Sequence, residues 1–151
     1  MIYLALNRAK IKGAIGERQL SSLLQFLNKY LYHTYNDLYI KTSSDTSQID
    51  HVIVSLFGIF IVETKNYKGN IYGSSNSDNW TQNIWENKYP IPNPIQQNKA
   101  HIFTIKSILP AYAQSCFIPI IAFSSKASLY ITTDDETEII HLQEILSTIK
   151  S

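Results

Sequence analysis

Gln48-Ile49-Asp50-His51-Val52-Ile53-Val54 and Ile59-Phe60-Ile61-Val62-Glu63-Thr64-Lys65-Asn66 are the two stretches that decide the fold. Residues 49–56 and 59–67 are β-branched and aromatic, with a Phe57-Gly58 turn between them, which predicts a hairpin deep in a sheet. Three charged residues interrupt this apolar pair: Asp50, Glu63 and Lys65. A charge in such a place is costly unless it is paired or holds a metal. With the turn centred near Leu56, Phe57 and Gly58, Asp50 falls opposite Glu63 or Thr64. Directly opposed residues have Cβ atoms about 5 Å apart. Two carboxylates that close repel each other unless a cation lies between them, and magnesium prefers such oxygen ligands. Glu63 and Lys65 are two residues apart on one strand and so share a face, which points the lysine toward the same region. A lysine there can hold water or balance phosphate charge, and a metal polarises a phosphodiester. The competing reading is a solvated ion pair on an edge strand.

Further out, residues 16–31 predict a helix, because Leu20, Leu23, Leu24, Leu27 and Leu31 recur at three- and four-residue spacing. Glu17 lies beside that apolar stripe, either as a further metal ligand or as an acid favoured by the helix dipole. Short strands are expected at residues 36–41 and 70–72, with a polar loop at 42–47. Residues 80–88 carry no clear pattern, and the prolines of 89–94 exclude helix. A second helix is expected over 95–109, ended by Pro110. On it Gln97 and His101 share a face, either turned to the cleft or as a polar flank. Strands at 117–123 and 129–132 and a helix at 142–149 complete the order. The fold class is therefore α/β, a mixed central sheet with helices on both faces. Trp80, Trp85 and Tyr89 are candidates either for stacking on bases or for core packing.

The composition narrows the classes. The 151 residues are 44% hydrophobic with 10 Tyr and 6 Phe, enough for one cored domain spanning 1–151. A lone Cys116 excludes an intrachain disulfide and a cysteine zinc cluster. His33, His101 and His141 lack ligand spacing, His51 points away from Asp50, and no phosphate-binding glycine loop occurs. The first residues do not read as a signal peptide, and no run reaches the ~20 residues of a membrane span. A cytoplasmic location is expected. Net charge is +1, but Asp134, Asp135, Glu136 and Glu138 crowd one end. Residues 1–133 hold 12 of the 13 basic and 7 of the 12 acidic side chains, a balance that suits a polyanion.

Four stretches carry a resemblance: Lys12-Gly13-Ala14-Ile15-Gly16-Glu17, Gln48-Ile49-Asp50-His51-Val52, Gly58 through Gly69, and Asn93-Pro94-Ile95-Gln96-Gln97-Asn98 followed by His101. In order and spacing the chain resembles the nuclease-related domain family, a branch of the restriction-endonuclease-like nucleases. The resemblance covers about residues 12–110. It implies a restriction-endonuclease-like sheet with a metal site on the central hairpin. By position, Asp50 and Glu63 look like the metal carboxylates, Lys65 like the catalytic lysine, Glu17 like the helix-borne acid and Gln97 like the glutamine of the second helix, with Gln96 the alternative register. The wider group has proline before its first aspartate. Here Ile49 stands there, as is usual in this branch. The implied activity is magnesium-dependent cleavage of DNA, with manganese able to substitute. The implied setting is largely bacterial, with a homodimer or a fused or associated helicase-like partner. Two other classes fit the same pattern: an RNA nuclease, and a non-catalytic nucleic-acid-binding module. Intact carboxylates favour hydrolysis over the latter.

Overall fold

A computed structural model describes residues 2–112, 114–133 and 137–151, with side chains from Gly13 onward. The acidic residues Asp134, Asp135 and Glu136, and the side chain of Lys12, lie outside the described residues.

The apolar strands pair as their alternation requires. The strands β1 (Tyr32–Lys41), β2 (Thr46–Ser55) and β3 (Gly58–Lys65) form an antiparallel meander. Strand β3 also pairs in parallel with β7 (Phe117–Phe123), and β7 with β9 (Glu138–His141). The result is a mixed five-stranded sheet in the order β1-β2-β3-β7-β9. Ser55 pairs with Gly58, so Leu56 and Phe57 form the turn. Gly58 has φ +152°, and a Cβ there would press on Ile118. That positive φ, which an L side chain rarely adopts, explains a glycine in so apolar a run.

The two faces of β3 meet different helices. Phe60 and Val62 join Leu20 and Leu24 of α1 (Ile2–Leu24) and Ile145 of α3 (Ile145–Lys150). Ile59 and Ile61 pack with Ile102 and Ile105 of α2 (Pro94–Ile108). Glu63 and Lys65 follow Ile59 and Ile61 in parity, so they face α2.

Helix α1 is placed earlier in the chain than the leucine spacing predicts. It begins at Ile2 and stops at Leu24. The stop has a local cause: the Asn28 side chain accepts from the Tyr30 N–H at 2.9 Å, and Tyr32 N–H bonds Asn28 O at 2.9 Å. This turn competes with helix continuation. Leu27 is still buried, but Leu31 is 41% exposed and leaves the stripe.

The stretch without a clear pattern is a hairpin. Strands β5 (Asn79–Ile84) and β6 (Asn87–Pro92) join β4 (Gly69–Ser74) and β8 (Ala127–Thr132) in a second sheet, ordered β6-β5-β4-β8. Pro90 and Pro92 are tolerated because β6 is an edge strand. Trp80 is the anchor of this sheet. It is buried, stacks on Phe123 at 6.3 Å, and donates its indole N–H to Ser74 O at 2.9 Å. A Cβ on Gly73 would collide with the Trp80 ring. Core packing therefore accounts for Trp80, and base stacking does not.

One buried polar residue ties the layers together, and another sits within the sheet. Asn98 of α2 donates to Ile61 O at 2.9 Å and to Ile120 O at 3.0 Å, bridging β3 and β7. His51 is buried with Nδ1 2.8 Å from Asn36 Oδ1, and it pairs with Val62 on the face away from Asp50. Its Nε2 has no hydrogen-bond partner among the described residues.

Asn98→Ala removes two bonds in a site closed to water. It is expected to lower the unfolding free energy by about 2 kcal/mol, read from urea midpoints. The His51 pKa is lowered from 6.5 to about 4, chiefly by burial, against opposing attraction from Asp50 and Asp37. Because the folded value lies below the unfolded one, its stabilising effect holds above pH 6.5 and is lost as pH falls toward 4. An NMR titration should show the His51 ring changing near pH 4, and a midpoint near 6.5 would contradict the buried neutral form.

Candidate functional site

Strand alternation turns Glu63 and Lys65 from an apolar face onto a polar one. The last β2–β3 pair is His51 with Val62, which leaves Asp50 and Glu63 as the next residue on each strand. Glu17 of α1 lines the same cleft, of about 350 Å³, with Asp50, Glu63, Lys65, Lys68 and Gln82. Helix α1 comes close here, since a Cβ on Gly16 would lie 3.2 Å from Asn66 Cβ.

Glu63 is only 3% exposed. Its Oε1 accepts from Lys65 Nζ at 2.7 Å, and the same ammonium donates to Gln97 Oε1 at 2.9 Å. Glu63 Oε2 is buried and has no hydrogen-bond partner among the described residues, although His101 Nδ1 lies 3.3 Å away. The separation is short, but neither atom makes a hydrogen bond among the described residues, so we read it as a contact. Burial pushes the Glu63 carboxyl up to about 7, against the pull of Lys65 and with a further push from Asp50 and Glu17. Burial also raises Glu17, aided by repulsion from Asp50. Burial lowers His101, keeping it toward the neutral form. Asp50 is fixed differently: its Oδ2 accepts from Thr64 N–H at 2.9 Å and Thr64 Oγ1 at 2.7 Å.

Helix α2 delivers Gln97 and His101 because its first turn is held firmly. Asn93 caps it, accepting from Ile95 N–H at 2.9 Å, and Pro94 follows in the first turn. The Asn93 amide also donates to the carbonyls of Ser74, Ser75 and Ser77. Gln96 donates to Ser75 O at 3.1 Å, so Gln97 is the glutamine that reaches the lysine.

The structure thus brings Asp50, Glu63, Lys65 and Gln97 together, with Glu17 on the cleft wall. Among the described residues, no three His, Cys, Asp or Glu side chains are gathered into a ready metal-ligand set. The carboxylates of Asp50, Glu63 and Glu17 share a cleft without closing into such a set. The donor chemistry nonetheless suits a hard cation: clustered carboxylates, with Asp50 helping to raise both Glu63 and Glu17, and one buried oxygen with no hydrogen bond. Sequence reasoning missed Thr64, Asn98 and Gln82. Thr64 reads as an ordinary strand residue, and Gln82 lies in the stretch that showed no pattern.

An uncharacterized protein of Bacillus anthracis is 38% identical over 115 residues, covering 73% of this chain and 54% of that protein. The chain therefore spans about half the length of that relative. Among solved structures, the protein of unknown function AF1548 superposes with a TM-score of 0.45 at 12% identity, covering 78% of this chain and 57% of that one. No helix among the described residues is long and apolar enough to cross a membrane. The nuclease-related domain family matches residues 12–124, three quarters of the chain. The chain belongs to that family, a branch of the PD-(D/E)xK restriction-endonuclease-like superfamily.

Proposed function

We propose that this domain hydrolyses DNA phosphodiester bonds with the help of a divalent cation, magnesium or manganese. One observation carries the reading: a carboxylate, Glu63, buried at the mouth of an apolar strand beside Asp50 and Lys65, with an oxygen left without a hydrogen bond. A purely structural ion pair would gain by satisfying that oxygen. Asp50 and Glu63 would hold the cation, with Glu17 as a further oxygen donor from α1. A bound cation would lower the pKa of its water and polarise the phosphate.

The remaining work falls to the chain's own groups. Lys65 is held between Glu63 Oε1 and Gln97 Oε1, so its ammonium is fixed rather than free to swing. A fixed ammonium orients water or offsets developing charge on phosphate at little reorganisation cost. Thr64 keeps the Asp50 carboxylate turned toward β3. Gln97 positions Lys65. Family membership and the basic balance of residues 1–133 support a nucleic-acid substrate.

The test is cleavage of supercoiled, linear and single-stranded DNA with magnesium or manganese. Glu63→Ala and Lys65→Ala should each lower the rate by about 10²-fold or more. A folded protein that binds the cation and cuts none of these would overturn the DNA-hydrolysis reading and favour an RNA substrate or a binding module.

A stability measurement checks the cation site separately. The folded Glu63 pKa, about 7, lies above its ordinary value of 4.5. Without cation, its contribution is present below pH 4.5 and is lost as pH rises through about 7. Above that pH, magnesium should raise the thermal midpoint, since it binds the folded state alone. Glu63→Gln should flatten the pH response and abolish the magnesium response. A magnesium shift that survives Glu63→Gln would place the cation elsewhere.

A further inference from the structure

The β5–β6 hairpin carries an unexplained residue at its tip. Ile84 pairs with Asn87, so Trp85 and Glu86 form a two-residue turn. Trp85 has φ +56° and is 91% exposed. The first central position of such a turn favours glycine when φ is positive, and a bulky side chain there is strained. Exposing an indole to water adds a second unfavourable feature. A turn needed only for closure would carry glycine or asparagine.

The hairpin also forms part of the candidate site. Gln82 and Ile84 line the cleft that holds Asp50, Glu63 and Lys65, and Trp85 is the next residue along. Its placement against the catalytic strand is rigid. Gln82 Nε2 donates to Lys68 O at 2.9 Å, in the segment leaving β3. Gly69 follows with φ +78°, and any Cβ there would collide with Asn83 O of β5. The chain therefore keeps a glycine where β4 must touch the hairpin, and spends a tryptophan where a glycine would relax it. Lys68 lines the cleft and Lys88 is exposed on β6, while the other residue of the turn, Glu86, is exposed and acidic. An exposed indole at the end of a hairpin that lines a lysine-bearing cleft matches a nucleic-acid strand, whose bases offer π-faces and whose backbone offers anions.

We propose that Trp85 is a substrate-binding residue that stacks on an unpaired base of the nucleic acid next to the cleft. This rests on the nuclease reading. The indole takes up a base from a single strand or a frayed end, and this sets the strand's register relative to Lys65. Strain at position 85 is retained because glycine offers no surface for stacking.

The experiment compares the parent protein with Trp85→Gly and Trp85→Phe, using a fluorescently labelled single-stranded oligonucleotide. Anisotropy without divalent cation reads binding, cleavage with magnesium reads turnover, and thermal melting reads the fold. Trp85→Gly should melt no lower than the parent, yet bind about 10-fold more weakly, with the loss in KM rather than kcat. Trp85→Phe should recover most of the binding. If Trp85→Gly binds and cuts like the parent, the stacking proposal is overturned while the nuclease reading stands. If the parent itself neither binds nor cuts nucleic acid, the nuclease reading fails and the stacking proposal with it.

Discussion

A buried carboxylate next to a lysine, within strands otherwise built of isoleucine, valine and phenylalanine, is the constraint around which the rest is arranged. Glu63 is shielded from water and accepts a hydrogen bond from Lys65 at 2.7 Å. Desolvation wins over that attraction, since the carboxyl is pushed up to about 7 rather than down. Such a group costs stability in the absence of a cation. The fold accommodates it by placing it at the end of β3, where the apolar run gives way to a polar cleft.

Several structural devices hold that end of the strand in place. Asn98 pins α2 to β3 and β7 two and one residues before Glu63 and Ile121 respectively. Asn93 and Pro94 set the start of α2, and through it the reach of Gln97 and His101. Thr64 orients Asp50 from the neighbouring strand. The second sheet closes the other wall, with Trp80 against Phe123 as its anchor and Gln82 facing the cleft. Helices and strands carry Glu17, Asp50, Glu63, Lys65 and Gln97, and side chains on such elements are held more precisely than side chains on loops.

Much of this was legible in the sequence because strand alternation has a period of two. That period puts Glu63 and Lys65 on one face and leaves Asp50 as the next residue across the hairpin. The family signature extended the reading to Glu17 and Gln97 by position. Other parts depend on tertiary context. The β5–β6 hairpin was hidden because prolines normally argue against strands, and only its place at a sheet edge permits them. The end of α1 is set by the Asn28 turn, which overrides a leucine spacing that continues beyond it. Strand β9 was hidden because its four residues, Glu138 to His141, are too short to show alternation beside an acidic stretch. Trp80 and Trp85 look alike in sequence, yet one is core and the other is almost fully exposed.

The carboxylates of β2 and β3 are proposed to form a divalent-cation site. The most direct test is a crystal of the wild-type protein grown with manganese and measured for anomalous scattering at the metal's absorption edge. A peak is expected in the cleft within bonding distance of both the Asp50 and Glu63 carboxylates. A well-ordered cleft with no peak, or a peak bound only elsewhere on the molecule, would contradict it.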